Sequence, residues 1–86
     1  MGSEPTAHAL GFDGFAERLR PLTVVDGEMR REDRLREDLG FDSISLLLCL
    51  DAYEEAAGRP VDERAVIALE TVGDAYALYL RLVGVG

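Results

Sequence analysis

Gly40-Phe41-Asp42-Ser43-Ile44 puts a small hydroxyl residue directly after a glycine turn and an aspartate, and just ahead of an apolar run, where a helix should begin. The first N–H groups of a helix have no partner within it, and the helix dipole is positive at that end. A negatively charged group attached to Ser43 would therefore be stabilised there. The pattern suits a phosphate ester on Ser43, with Gly40 letting the backbone turn tightly enough for a modifying enzyme to approach. The bland alternative is that Ser43 simply caps the helix, in which case replacing it by alanine costs about 1 kcal/mol.

Other chemistry fails on inventory. A hydrolytic Ser43 would need a base and an oxyanion site, and His8 is the single histidine of the chain. No cysteine or carboxylate stands at ligand spacing from His8, and the acid-rich loop lacks the alternating acids and central glycine of a calcium loop, so neither a metal nor a catalytic residue is expected. Cys49 reads as a buried small hydrophobe rather than a reactive thiol.

A chain of 86 residues is one small domain, and at that size only about 60–65% of the unfolded surface is buried, too little for a large enclosed active site. Nine arginines face seventeen acids for a net charge of −8, which disfavours nucleic acid and favours a basic protein surface as partner. Lys, Asn and Gln are absent, a bias better explained by GC-rich coding than by function. One cysteine cannot form an internal disulfide, which suits a reducing cytoplasm. The longest apolar stretch, residues 75–80, is far below the ~20 residues of a membrane span. No basic signal-peptide start precedes it, and the myristoylation-like Met1-Gly2 with Thr6 reads as chance beside Glu4 and Pro5.

The elements that must position Ser43 are helical. Residues 1–9 read as a flexible tail and 10–86 as the folded unit. Phe12, Phe15, Ala16 and Leu19 mark a first helix, with Asp13 near its start, which Pro21 should end. A long connection then runs from Leu22 to about Phe41, pinned by Leu22, Val24, Val25, Leu35 and Leu39. The second helix, Ser43 to Ala57, carries two apolar stripes. Leu46, Cys49, Leu50, Tyr53 and Ala57 form a core face. Ile44, Leu47 and Leu48, with Asp51, lie opposite, where a partner or bound chain would meet them unless the long loop folds over. Gly58-Arg59-Pro60 ends that helix, and Asp62, Val66 and Leu69 suggest a short third one anchored by Val61. Thr71-Val72-Gly73-Asp74 resembles a capping box opening a last helix with Val72, Ala75, Tyr76, Tyr79, Leu82 and Val83 on its core face and Gly84 and Gly86 at its end. No stretch alternates long enough for a strand. The fold expected is all-α, a small four-helix bundle with a long loop between the first and second main helices and a short third helix.

Asp38-Leu39-Gly40-Phe41-Asp42-Ser43-Ile44 resembles the prosthetic-group attachment motif of acyl carrier proteins, Asp-x-Gly-x-Asp-Ser followed by Leu or Ile. The likeness continues through Glu54-Glu55, Pro60-Val61-Asp62-Glu63 and Thr71-Val72, and is loose upstream of Leu35. The resemblance implies that Ser43 Oγ receives 4′-phosphopantetheine from coenzyme A, and that the terminal thiol holds acyl groups as thioesters. It makes Asp42 and Gly40 part of the attachment site, and a phosphopantetheinyl transferase plus acyl-transferring and ketosynthase-type enzymes the partners. Ile44, Leu47, Leu48, Asp51, Glu54 and Glu55 would meet those partners, and Glu37 and Asp38 are further acids bracketing the site. Leu46, Leu47, Val66 and Leu69 would contact the acyl chain. Leu48 stands where the family often has an acid, Asp51 where it often has an apolar residue, and Ala57 where it usually has a large core residue, a space Tyr53 is expected to fill.

The reading is therefore a monomeric cytoplasmic carrier that is not an enzyme, working on acyl cargo of polyketide or related specialised metabolism rather than housekeeping fatty acid biosynthesis. Two alternatives remain. A peptidyl carrier of nonribosomal synthesis would more often show Gly-Gly-x-Ser, and a cofactor-free helical adaptor would use the Ile44, Leu47 and Leu48 stripe without modification of Ser43.

Overall fold

The computed structural model describes residues 10–23 and 27–84. Its elements are α1 (Phe12–Leu19), a 3-10 turn (Arg20–Leu22), α2 (Ser43–Ala57), α3 (Glu63–Ile67) and α4 (Val72–Leu82). Among the described residues no strand forms, and Arg34 and Thr71 make an isolated antiparallel bridge. The all-helical expectation holds among the described residues, with four α-helices. Val24, Val25, Gly86, His8 and the whole 1–9 segment lie outside the described residues.

Helix α1 buries Phe15, Ala16 and Leu19. It ends at Leu19, just ahead of Pro21 as expected, but not by the expected route. Pro21 does not stop the helical path but sits inside the 3-10 turn, and Arg20 before it keeps right-handed helical angles of φ −54° and ψ −43°. A proline in the first positions of a new turn gives up an N–H that would lack a partner there anyway. The entry to α1 is tied to α4, because the Leu10 N–H donates to Tyr79 Oη at 2.9 Å and Tyr76 Oη donates to the Leu10 carbonyl at 2.9 Å. Around that tie the Phe15 ring packs 5.2 Å from Tyr79 and 5.3 Å from Tyr76, centroid to centroid.

The long connection is held by burial and by backbone. Leu35 and Leu39 are core residues as expected, joined by Met29 and Phe41, whose burial the periodicity did not reveal; Leu22 is half-buried. The connection then crosses the head of α4. The Leu35 N–H donates to the Glu70 carbonyl at 2.8 Å, Val72 to Asp33 at 2.9 Å and Gly73 to Arg31 at 2.8 Å. A β-carbon on Gly73 would sit 3.1 Å from the Arg31 carbonyl oxygen, so glycine is what permits that close approach. The Arg31 guanidinium lies 4.4 Å from the Phe12 ring centroid, a cation–π contact that fastens the loop to α1.

Helix α2 ends at Gly58, which takes the left-handed conformation (φ 70°) that favours glycine at a helix terminus. It buries Leu46, Cys49 and Tyr53, with Leu50 and Ala57 half-buried. The Tyr53 hydroxyl donates to the Ala75 carbonyl at 2.6 Å and so couples α2 to α4. Tyr53 does not fill the space left by Ala57. A groove of about 460 Å³ remains there, lined by Leu10, Phe15, Tyr53, Ala57, Tyr79 and Val83 among others. Asp62 caps α3 by accepting from the Arg64 N–H at 3.0 Å. The expected capping box of α4 is present, Thr71 Oγ1 accepting from Asp74 N–H and Asp74 Oδ2 from Thr71 N–H. Its core face is Val72, Ala75, Leu78 and Tyr79, with Tyr76, Leu82 and Val83 half-buried, so Leu78 takes a place that periodicity had not assigned.

Candidate functional site

Two buried residues, Leu39 and Phe41, anchor the turn that leads into α2. Between them Gly40 has φ 76°, in the left-handed region where a side chain is strained. The chain then reaches Asp42, which caps α2. Its Oδ1 accepts from the Ser45 N–H at 2.9 Å and lies 3.1 Å from the Ser45 hydroxyl. That hydroxyl also lies 3.3 Å from the Leu22 carbonyl, so its one proton is shared between the cap and the 3-10 turn. The Ser45 N–H, and after it the Ser45 hydroxyl, hold the Asp42 carboxyl below the usual carboxylate range.

Ser43 is thus the first helical residue and not the cap, which removes the bland alternative of a plain cap at Ser43. Two adjacent residues both had cap chemistry, and the extended angles of Asp42 (φ −124°, ψ −169°) give the role to it. Ser43 is exposed, and among the described residues its hydroxyl makes no hydrogen bond. The hydroxyl stands on a rigid turn beside the N-terminal N–H groups of a fifteen-residue helix.

Alongside it runs a cleft of about 210 Å³ between α2 and α3, lined by Ser43, Leu46, Leu47, Leu50, Val66 and Ile67, with Arg36 and Glu63 as its charged residues. Three of the four residues expected to contact an acyl chain, Leu46, Leu47 and Val66, share this cleft with Ser43. Leu69 does not. It is buried, and its edge lines a separate groove with Ala65, Leu78 and Arg81, because α3 stops at Ile67 and the chain turns there towards α4. Leu50 and Ile67 complete the apolar lining of the cleft.

The outward stripe of α2 stays open: Ile44 is 67%, Leu47 51% and Leu48 48% exposed, and Ile67 on α3 extends the patch at 48%. No described residue of the long loop folds over it. Ile67 was missed because five residues of helix carry too little periodicity to assign a face. Asp51 and Glu55 are exposed, whereas Glu54 is half-buried and its Oε2 accepts from the Val61 N–H at 3.0 Å. That bond gives Glu54 a structural duty in the α2–α3 connection. Glu37 pairs with Arg34 at 2.7 Å, and Asp38 accepts from the Arg34 N–H at 2.8 Å. Cys49 is buried, and that burial pushes its thiol up to about 11. Among the described residues no helix is long and apolar enough to cross a membrane, and no group of three metal-ligating side chains occurs.

Comparison with known proteins agrees with the motif. The chain is 39% identical over 62 residues to an acyl carrier protein of Saccharopolyspora erythraea, a match covering 72% of this chain and 65% of that protein. It is 35% identical over 54 residues to an acyl carrier protein of Prochlorococcus marinus, covering 63% of this chain and 68% of that one. The chain belongs to the acyl carrier protein family. The matched proteins are, as their name states, carriers. No family model matches the chain, and neither does any solved structure. The chain spans about two thirds of the length of the acyl carrier proteins it matches.

Proposed function

We propose that this acyl carrier protein bears 4′-phosphopantetheine on Ser43 and delivers acyl intermediates to partner enzymes without forming or breaking bonds itself. The group, donated by coenzyme A, supplies a thiol at the end of a long arm, where cargo is held as a thioester. The observation that carries the reading is that Asp42 and not Ser43 caps α2. This leaves the Ser43 hydroxyl exposed and without a structural task. A phosphodiester there would be favoured by the helix N-terminus. The positive-φ turn at Gly40 keeps the approach to it narrow-backboned. The protein's residues bind and orient the arm, while the base that deprotonates Ser43 belongs to the transferase.

Docking is assigned to Ile44, Leu47, Leu48 and Ile67 with Asp42, Asp51 and Glu55 around them, a patch that suits enzymes with apolar entrances ringed by Arg or Lys. Tethering makes each encounter with cargo local, which raises its effective concentration wherever the domain docks. Support for polyketide or related specialised metabolism comes from the compositional bias and from the unusual Leu48 and Asp51 on α2. We take the carrier to be a cytoplasmic monomer.

Incubation with coenzyme A and a broad-specificity phosphopantetheinyl transferase, followed by intact-mass measurement, tests the reading. The expected result is a single adduct on Ser43 that Ser43→Ala abolishes. A parent protein that remains unmodified would overturn it in favour of a cofactor-free adaptor.

A further inference from the structure

We infer that Arg36 is a positioning residue that clasps the phosphodiester on Ser43 and so lays the arm along the α2–α3 cleft; the inference rests on the carrier reading above. Arg36 and Ser43 line the same cleft, with Leu46, Leu50 and Val66 as apolar wall. The Arg36 side chain leaves the long loop to reach α3, where Nη2 donates to the Ile67 carbonyl at 3.2 Å. Among the described residues that is its one hydrogen bond, and it enters no ion pair. The rest of its planar donor set is uncommitted. Its neighbours differ, since Arg34 is held by Glu37 at 2.7 Å and Arg64 lies 3.5 Å from Asp62.

The charge environment explains why such a residue would matter. The protein carries a net charge of −8, and the turn bearing Ser43 holds Glu37, Asp38 and Asp42, all exposed. A phosphodiester adds another anion to this turn. Arg36 is the cation of the cleft, and a guanidinium matches paired phosphate oxygens better than an ammonium does. The Ile67 carbonyl holds one edge of the guanidinium at the cleft. The arm then starts along the cleft instead of pointing into solvent.

The test compares parent, Arg36→Gln and Arg36→Lys after loading by the transferase, using nuclear magnetic resonance. In the parent, loading should move the Arg36 side-chain N–H resonance. The phosphorus resonance should differ between parent and Arg36→Gln at low salt and converge as salt screens the contact, with Arg36→Lys in between. With nitroxide-tagged coenzyme A as donor, broadening of the Leu46 and Val66 methyl signals should fall about two- to fivefold in Arg36→Gln, the loss expected for an exposed charge contact. If loading moves the Ser43 and Ile44 amides but leaves the Arg36 N–H in place, the inference is overturned while the carrier reading stands. If the parent takes no group at all, both fall.

Discussion

Replacing Ser43 by alanine has opposite expected effects on stability depending on whether Ser43 or Asp42 caps α2. Were Ser43 the cap, its loss would cost about 1 kcal/mol. In an 86-residue domain that lowers Tm by about 4–8 °C. Here Ser43 lies inside the helix at its first position, exposed and without a side-chain bond, and Asp42 keeps its bond to the Ser45 N–H. Alanine has the higher helix propensity by about 0.5 kcal/mol. Ser43→Ala should therefore melt between the parent temperature and about 3 °C above it, while accepting no prosthetic group. Asp42→Ala should melt below the parent. Circular-dichroism melts of the three proteins in one buffer decide the matter. A Ser43→Ala melt depressed by about 4 °C or more, with Asp42→Ala unchanged, would refute the assignment of the cap.

Tyr53→Phe removes the buried hydroxyl that donates to the Ala75 carbonyl at 2.6 Å and should cost about 1 kcal/mol, read as a lower urea midpoint with an unchanged slope; no change would mean the α2–α4 bond carries nothing. The Asp42 carboxyl is held below its usual range by Ser45, so the folded state binds that proton less readily than the unfolded state. Its stabilisation is present above the unfolded value of about 3.9 and is lost as pH falls through the lower folded value. Asp42→Asn should accordingly flatten the acid limb of a stability profile, and identical limbs would contradict the cap geometry. Because burial raises the Cys49 thiol to about 11, iodoacetamide near neutral pH should label it only as fast as the protein opens; rapid labelling of the native fold would show the thiol to be accessible.

What was legible locally proved sound. Gly58 ends α2, and Thr71 with Asp74 marks the head of α4, because caps and left-handed termini are written in adjacent residues. The opposed stripes of α2 were readable for the same reason, fifteen residues being enough to define two faces. Choosing between Asp42 and Ser43 as cap was a different matter, since it depends on backbone angles that residue types do not encode. The third helix shows the limit of pattern. Leu69 matched a helical spacing from Val66, yet α3 ends at Ile67 and places the two side chains in different grooves.

Contacts between distant segments were beyond pattern altogether. The bonds from residues 31–35 to residues 70–73 join backbone atoms, and apart from Gly73 no residue type marks them. Glu54 and Arg36 are likewise ordinary charged residues until the fold brings Val61 and Ile67 to them. Phe41 and Met29 looked like loop residues, and only the crossing over α4 gives them a core to enter.

That crossing bears on how this protein could be reused. The anchor segment caps the helix it precedes through Asp42, and it is also moored to the start of α4 through Arg31, Asp33 and Leu35. Transplanting residues 40–58 into a foreign scaffold would carry the attachment point but leave its moorings behind. A chimera meant to accept the same modification must include both partners of those ties, which makes nearly the whole domain the smallest portable unit.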